Sequence, residues 1–141
     1  MIRNTRIPLA DGLGETGTKP VLDPEIRFNG VEDDSHETFW LPATLKEILD
    51  IEYVQKDDDG FVFSCTKTAY KPYDTVVTAC LTILKNSLGK DIKVESDGEV
   101  RDFNEGLELA QQYCHVELDH PLQEMEPKQL ELNSVRYVKE K

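Results

Sequence analysis

Residues 71–89, KPYDTVVTACLTILKNSLG, leave the chain little alternative to a long amphipathic helix. Tyr73, Val76, Val77, Cys80, Leu81, Leu84 and Leu88 recur at helical spacing and form one apolar stripe. Pro72 suits a first turn, Asp74 complements the positive end of the dipole, and Gly89 ends the run. On either side lie short alternating segments. In FVFSCTK, Phe61, Phe63 and Cys65 make one apolar face; in KDIKVESDG, Ile92 and Val94 alternate with Lys93 and Glu95. A strand, a helix of about four turns and a second strand constitute a crossover, so the two strands are expected to run parallel.

Before that unit, IEYVQKDDDGFVF reads as a hairpin turning at Asp59-Gly60. Asp57-Asp58-Asp59 lacks the spaced acidic loop and distant Glu of a calcium site. Thr44 and Glu47 form a capping box ahead of Leu45, Ile48 and Leu49, which predicts a short helix, with Phe39, Trp40 and Leu41 anchoring it to the core. After the crossover, DFNEGLELAQQYCH predicts a second amphipathic helix capped by Asp102, with Phe103, Leu107, Ala110 and Cys114 on one side. The fold class is therefore α+β: a small mixed sheet, a hairpin plus one or two strands, covered by two main helices on one face. Residues 1–30, punctuated by Pro8, Pro20, Pro24 and four glycines, are expected to be an extended, partly mobile arm. Residues 31–115 form the core domain. Residues 116–141 are polar, with QLELNSVRYV alternating as a late strand, at an edge or exchanged with another subunit in a homo-oligomer.

The stretch DGLGETGTKP, with glycines at 12, 14 and 17, imitates a phosphate-binding loop. Such a loop needs a buried strand before it and a helix starting within it. Here Pro8 interrupts the segment on its N-terminal side, and Pro20 and Pro24 interrupt the segment on its C-terminal side. Thr18 also stands before Lys19, where the order should be reversed. The motif does not carry nucleotide chemistry.

Chemistry elsewhere is sparse. Three scattered cysteines, Cys65, Cys80 and Cys114, are no disulfide framework and fit a reducing cytoplasmic compartment. Cys114, His115 and His120 do not have zinc-ligand spacing, so no metal or other cofactor is expected. No nucleophile motif stands out, and with 28 acidic residues mere proximity of two carboxylates nominates nothing. A catalytic role is the least supported. The net charge of −12 argues against direct nucleic-acid binding, and no apolar run is long enough for a membrane span.

One internal stretch, residues 64–93, is net basic at +3 between acidic blocks. Within it CTKTAYKPYD joins a strand to the start of the main helix, where open N–H groups and the dipole favour an anion. Lys67, Thr68, Tyr70, Lys71 and Tyr73, with Arg101 from the next helix start, are the candidate ligand-binding residues for an anionic small molecule or nucleotide. An ordinary strand–helix connection, with Asp74 on the dipole and the lysines solvated, has the same sequence. The alternative function is an acidic interaction or inhibitor module docking on a basic partner, such as a nucleic-acid-binding protein.

KTAYKPYDTVV, then IKVESDG, then an acidic amphipathic helix, resembles a pattern in small uncharacterised proteins encoded by bacteriophages. The resemblance covers about a third of the chain and implies context only: a small accessory protein interfering with a host process.

Overall fold

A computed structural model of the protein describes residues 1–44, 46, 47, 50 and 56–122 and the backbone of 135–140. In chain order the elements are β1 (Ile26–Phe28), β2 (Phe39–Leu41), β3 (Val62–Lys67), α1 (Asp74–Leu88), β4 (Ile92–Ser96), α2 (Asn104–Cys114) and β5 (Val135–Glu140). The α+β class stands, but the strands divide into two sheets. β1 and β2 pair antiparallel, Arg27 opposite Trp40. The other three are all parallel, in the order β3-β5-β4.

The late strand, expected at an edge or exchanged, therefore lies in the middle of its own chain's sheet. Its register puts Val135 between Val62 and Ile92. A central strand covered on both faces would read as one apolar run. Here Phe63, Lys93 and Glu95 of the flanking strands are exposed or half-buried, so one face stays polar and an alternating strand fits the centre.

The same register corrects the apolar face assigned to β3. Val62 and Thr66 are buried, whereas Phe63 is exposed and Cys65 half-buried. Ile92 and Val94 face the core as expected, and the row-by-row pairing aligns Val62 with Ile92 across β5. Phe63 and Cys65 then share the row of Lys93 and Glu95. Phe61, one residue before the strand, is buried, with the Lys93 ammonium 4.3 Å from its ring centroid.

The Asp59-Gly60 turn is present. Gly60 adopts φ 84°, and Asp57 Oδ1 accepts from the Asp59 and Phe61 amides at 3.0 and 2.9 Å. Lys93 pairs with Asp59 at 2.7 Å, and an antiparallel bridge joins Lys56 to Val62. The expected first hairpin strand, 51–55, lies outside the described residues, as do Leu45, Ile48 and Leu49 of the short helix. Half of that helix's capping box is visible, Glu47 Oε2 accepting from the Thr44 amide at 3.0 Å.

α1 packs its Val76, Val77, Cys80 and Leu81 against Ile92, Val94, Phe28, Phe39 and Phe103. Its stripe ends early, since Leu88 is exposed. Burial extends round the helix instead, because α2 covers a second side at Thr78 and Ala79. The buried hydroxyls of Thr78 and Thr82 donate to the carbonyls of Asp74 and Thr78 at 3.0 and 2.8 Å. α2 is not capped directly by Asp102. A 3-10 turn, Val100–Phe103, precedes it, and Asp102 forms a reciprocal capping box with Glu99.

The N-terminal 30 residues fold back on the domain. Ala10 and Asn29 exchange both backbone bonds at 3.0 and 3.2 Å, as do Val21 and Arg27 at 2.9 Å. Met1, Ile2, Ile7 and Leu9 pack against the core. The glycine-rich stretch is a loop tied to its surroundings. Asn29 Nδ2 and Thr38 Oγ1 both donate to the Gly12 carbonyl, and Glu32 Oε1 accepts from the Thr16 amide and hydroxyl at 2.8 and 2.6 Å. Those bonds hold the Glu32 carboxyl below its usual range.

Lys85 secures the end of α1. It is buried, and its ammonium donates to the carbonyls of Gly89 and Ile92, both at 2.8 Å, joining the helix end to the start of β4. Lys85→Met keeps the aliphatic stem and removes the donors. It is expected to destabilise by about 1–2 kcal/mol in a denaturant titration, because buried carbonyls lose a charged partner.

Candidate functional site

Because β3 and β4 run the same way, their carboxyl ends and the helix starts that come after them lie at one end of the sheet. Binding sites of parallel sheets concentrate there. All six residues singled out in the sequence belong to this region, but the structure distributes them among different tasks.

Thr68 and Tyr73 are fully buried. The Thr68 hydroxyl donates to Asp74 Oδ1 at 2.6 Å, and the Tyr73 hydroxyl donates to the Glu37 carbonyl at 2.6 Å. Burial, then the nearby Asp74 and Glu37 charges, holds the Tyr73 phenol well above its ordinary range. The Lys67 backbone is bound from the loop before β2. Its amide donates to Glu37 Oε2 at 2.7 Å, and its carbonyl accepts from the Glu37 amide at 3.2 Å and from His36 Nδ1 at 2.9 Å. The Lys71 ammonium donates to the Asp33 carbonyl at 2.8 Å. Arg101 is exposed and pairs with its neighbour Glu99 at 2.6 Å.

The amides opening α1 are likewise engaged. Those of Asp74, Thr75 and Val76 donate to the carbonyls of Lys71, Pro72 and Tyr73 at 2.8, 3.4 and 2.9 Å. The buried Asp74 carboxylate already complements the dipole there, and a second anion would meet both that charge and a lack of donors. The helix start is thus filled from within.

Tyr70 differs from the other five. Ala69 and Tyr70 both adopt left-handed backbone, at φ 50° and 55°. For residues with a Cβ this conformation costs about 1 kcal/mol each or more. The pair turns the chain so that Tyr70 projects to solvent, 51% exposed, instead of going with Thr68 into the core. Its hydroxyl donates to Asp102 Oδ2 at 3.1 Å. Partial burial, then the charges of Asp102, Asp97 and Asp74, raises its pKa. Gly98 lies directly beneath: a Cβ there would come within 3.2 Å of the Tyr70 hydroxyl and would strike the Asp102 carboxylate. Val100, 61% exposed, comes two residues later. The arrangement is a solvent-facing ring bordered by carboxylates. Sequence reasoning used Asp102 only as a helix cap, and so missed the convergence of Asp97, Gly98 and Asp102 on Tyr70.

Among the described residues no three His, Cys, Asp or Glu side chains group as metal ligands, and no helix is long and apolar enough to cross a membrane. His120 engages backbone with both ring nitrogens, the Val100 carbonyl at 3.0 Å and the Leu122 amide at 3.1 Å. No protein-family model, curated protein or solved structure matches the chain.

Proposed function

We propose that the protein is an interaction module that receives a basic partner on the acidic surface around Tyr70. The observation carrying this reading is the strained Ala69-Tyr70 pair, which holds a half-exposed aromatic ring against Asp102 and within the field of Asp97 at the carboxyl end of the sheet. An arginine or lysine of the partner gains a carboxylate and the face of an aromatic ring together. A rigid aromatic anchor within a complementary field is the usual makeup of a binding hot spot. In the accessory role implied by the resemblance of KTAYKPYDTVV, the partner is a nucleic-acid-binding protein whose basic surface the domain occupies.

Titration with an arginine-rich peptide by calorimetry tests this. Binding is expected to weaken at least tenfold between low and physiological salt, because exposed charges are screened. Tyr70→Ala is expected to lose about tenfold in affinity and Asp102→Asn a few-fold. Affinity indifferent to salt, or unchanged in Tyr70→Ala, overturns the proposal.

A further inference from the structure

The folded-back N-terminal segment leaves an opening on a different side of the molecule. Between its first residues, the β1–β2 pair and α1 lies a cavity of about 420 Å³ walled by Ile2, Ile26, Leu41, Ile83 and Leu84. That volume is in the range of sites that enclose small molecules, about 300–1,000 Å³. Ile2, Arg3 and Leu22 also line a cleft of about 810 Å³, so the two spaces adjoin and share these residues as a common border. The cleft carries Arg3, Arg6 and Lys19 against one carboxylate, Asp23.

The charge of this cleft runs against the rest of the chain, which has 28 acidic residues to 16 basic. Arg27, Lys93 and Arg101 pair with carboxylates elsewhere. Arg3, Arg6 and Lys19 are exposed and make no ion pair among the described residues. We propose that this is a binding site for a single-tailed amphipathic anion, its aliphatic tail in the cavity and its carboxylate or phosphate head on Arg3, Arg6 and Lys19. Each half supplies what the other lacks. An apolar chamber alone does not select charge, and exposed cations alone bind a small anion weakly in water.

Calorimetry on the full chain with hexanoate, octanoate and decanoate, all below micelle formation, tests the tail. Affinity is expected to rise about fourfold per methylene. Decyl phosphate against decanoate identifies the preferred head. Decanol and decyltrimethylammonium are expected to bind at least tenfold more weakly than the better anion. Arg3→Glu with Arg6→Glu, both exposed, is expected to abolish the advantage of decanoate over decanol while leaving decanol binding intact. Methyl resonances of Ile26 and Ile83 are expected to shift on titration. Absence of chain-length dependence, equal binding of the cationic amphiphile, or binding only to anionic vesicles and not to monomeric amphiphile overturns the proposal.

Discussion

Gly106→Ala is expected to lower the melting temperature by about 5 °C, although alanine is the better helix former by about 1 kcal/mol. Gly106 is in α2 where that helix crosses α1. A Cβ there would collide with Thr78 Oγ1 and stand 2.7 Å from both Thr78 Cβ and the Ala79 backbone nitrogen. The Thr78 hydroxyl cannot simply rotate aside at no cost, because it is buried and donates to the Asp74 carbonyl. The Ala79 amide belongs to the interior of α1 and does not move alone. Relief requires the two helices to separate by several tenths of an ångström, which loosens the packing of Phe103 and Ala110, both fully buried. Overpacking of this kind costs about 1–3 kcal/mol and here exceeds the propensity gain. Thermal unfolding monitored by circular dichroism checks it, and a melting temperature at or above that of the parent protein would contradict the close crossing.

That crossing shows which features local sequence expresses. α1 was legible because its apolar period, Pro72, Asp74 and Gly89 all act within the helix itself. The Asp59-Gly60 turn was legible for the same reason. Gly106, by contrast, reads as a weakness in a helix until Thr78 and Ala79 are known to lie against it. The face of β3 was misread because alternation reports two faces without naming the inner one. The choice was made by registration with Ile92 and Val94 through a strand more than 40 residues further along the chain.

The strand–helix connection was legible and the contacts inside it were not. A strand running into a helix start was correctly placed, but nothing in CTKTAYKPYD announces that Thr68 and Asp74 close on each other or that Glu37 reaches the Lys67 amide. The left-handed conformation of Ala69 and Tyr70 has no local signature either, since neither is glycine, asparagine or aspartate. It exists because the engaged residues on both sides, Thr68 and Lys71, determine the path between them. The exposed tyrosine is thus a consequence of the same bonds that fill the helix start.

Alkaline conditions are expected to unfold the protein through Cys80. This thiol is in the core face of α1, and burial pushes it from its ordinary value near 9 up to about 12. The folded state then holds a proton that the unfolded chain releases. The resulting stability is complete below about pH 9 and is lost as pH rises towards about 12. Three units correspond to about 4 kcal/mol, of which about 2 kcal/mol is gone by pH 10.5. Tyr73, also raised by burial, acts in the same direction from about pH 10 upward. Lys85 opposes them. Burial lowers its pKa, so just below pH 10.5 the unfolded chain retains the proton more readily and stability rises with pH. Its ammonium keeps two carbonyl partners, which limits that contribution, and the two acidic groups prevail. Denaturant titrations at pH 8, 9.5 and 10.5 are expected to show the decline. Cys80→Ala starts lower at pH 8, from the lost packing, and declines less steeply, converging on the parent as pH rises. Parallel curves for the two proteins would mean that the thiol ionises in the folded state as easily as in water, which a side chain buried in the core cluster does not permit.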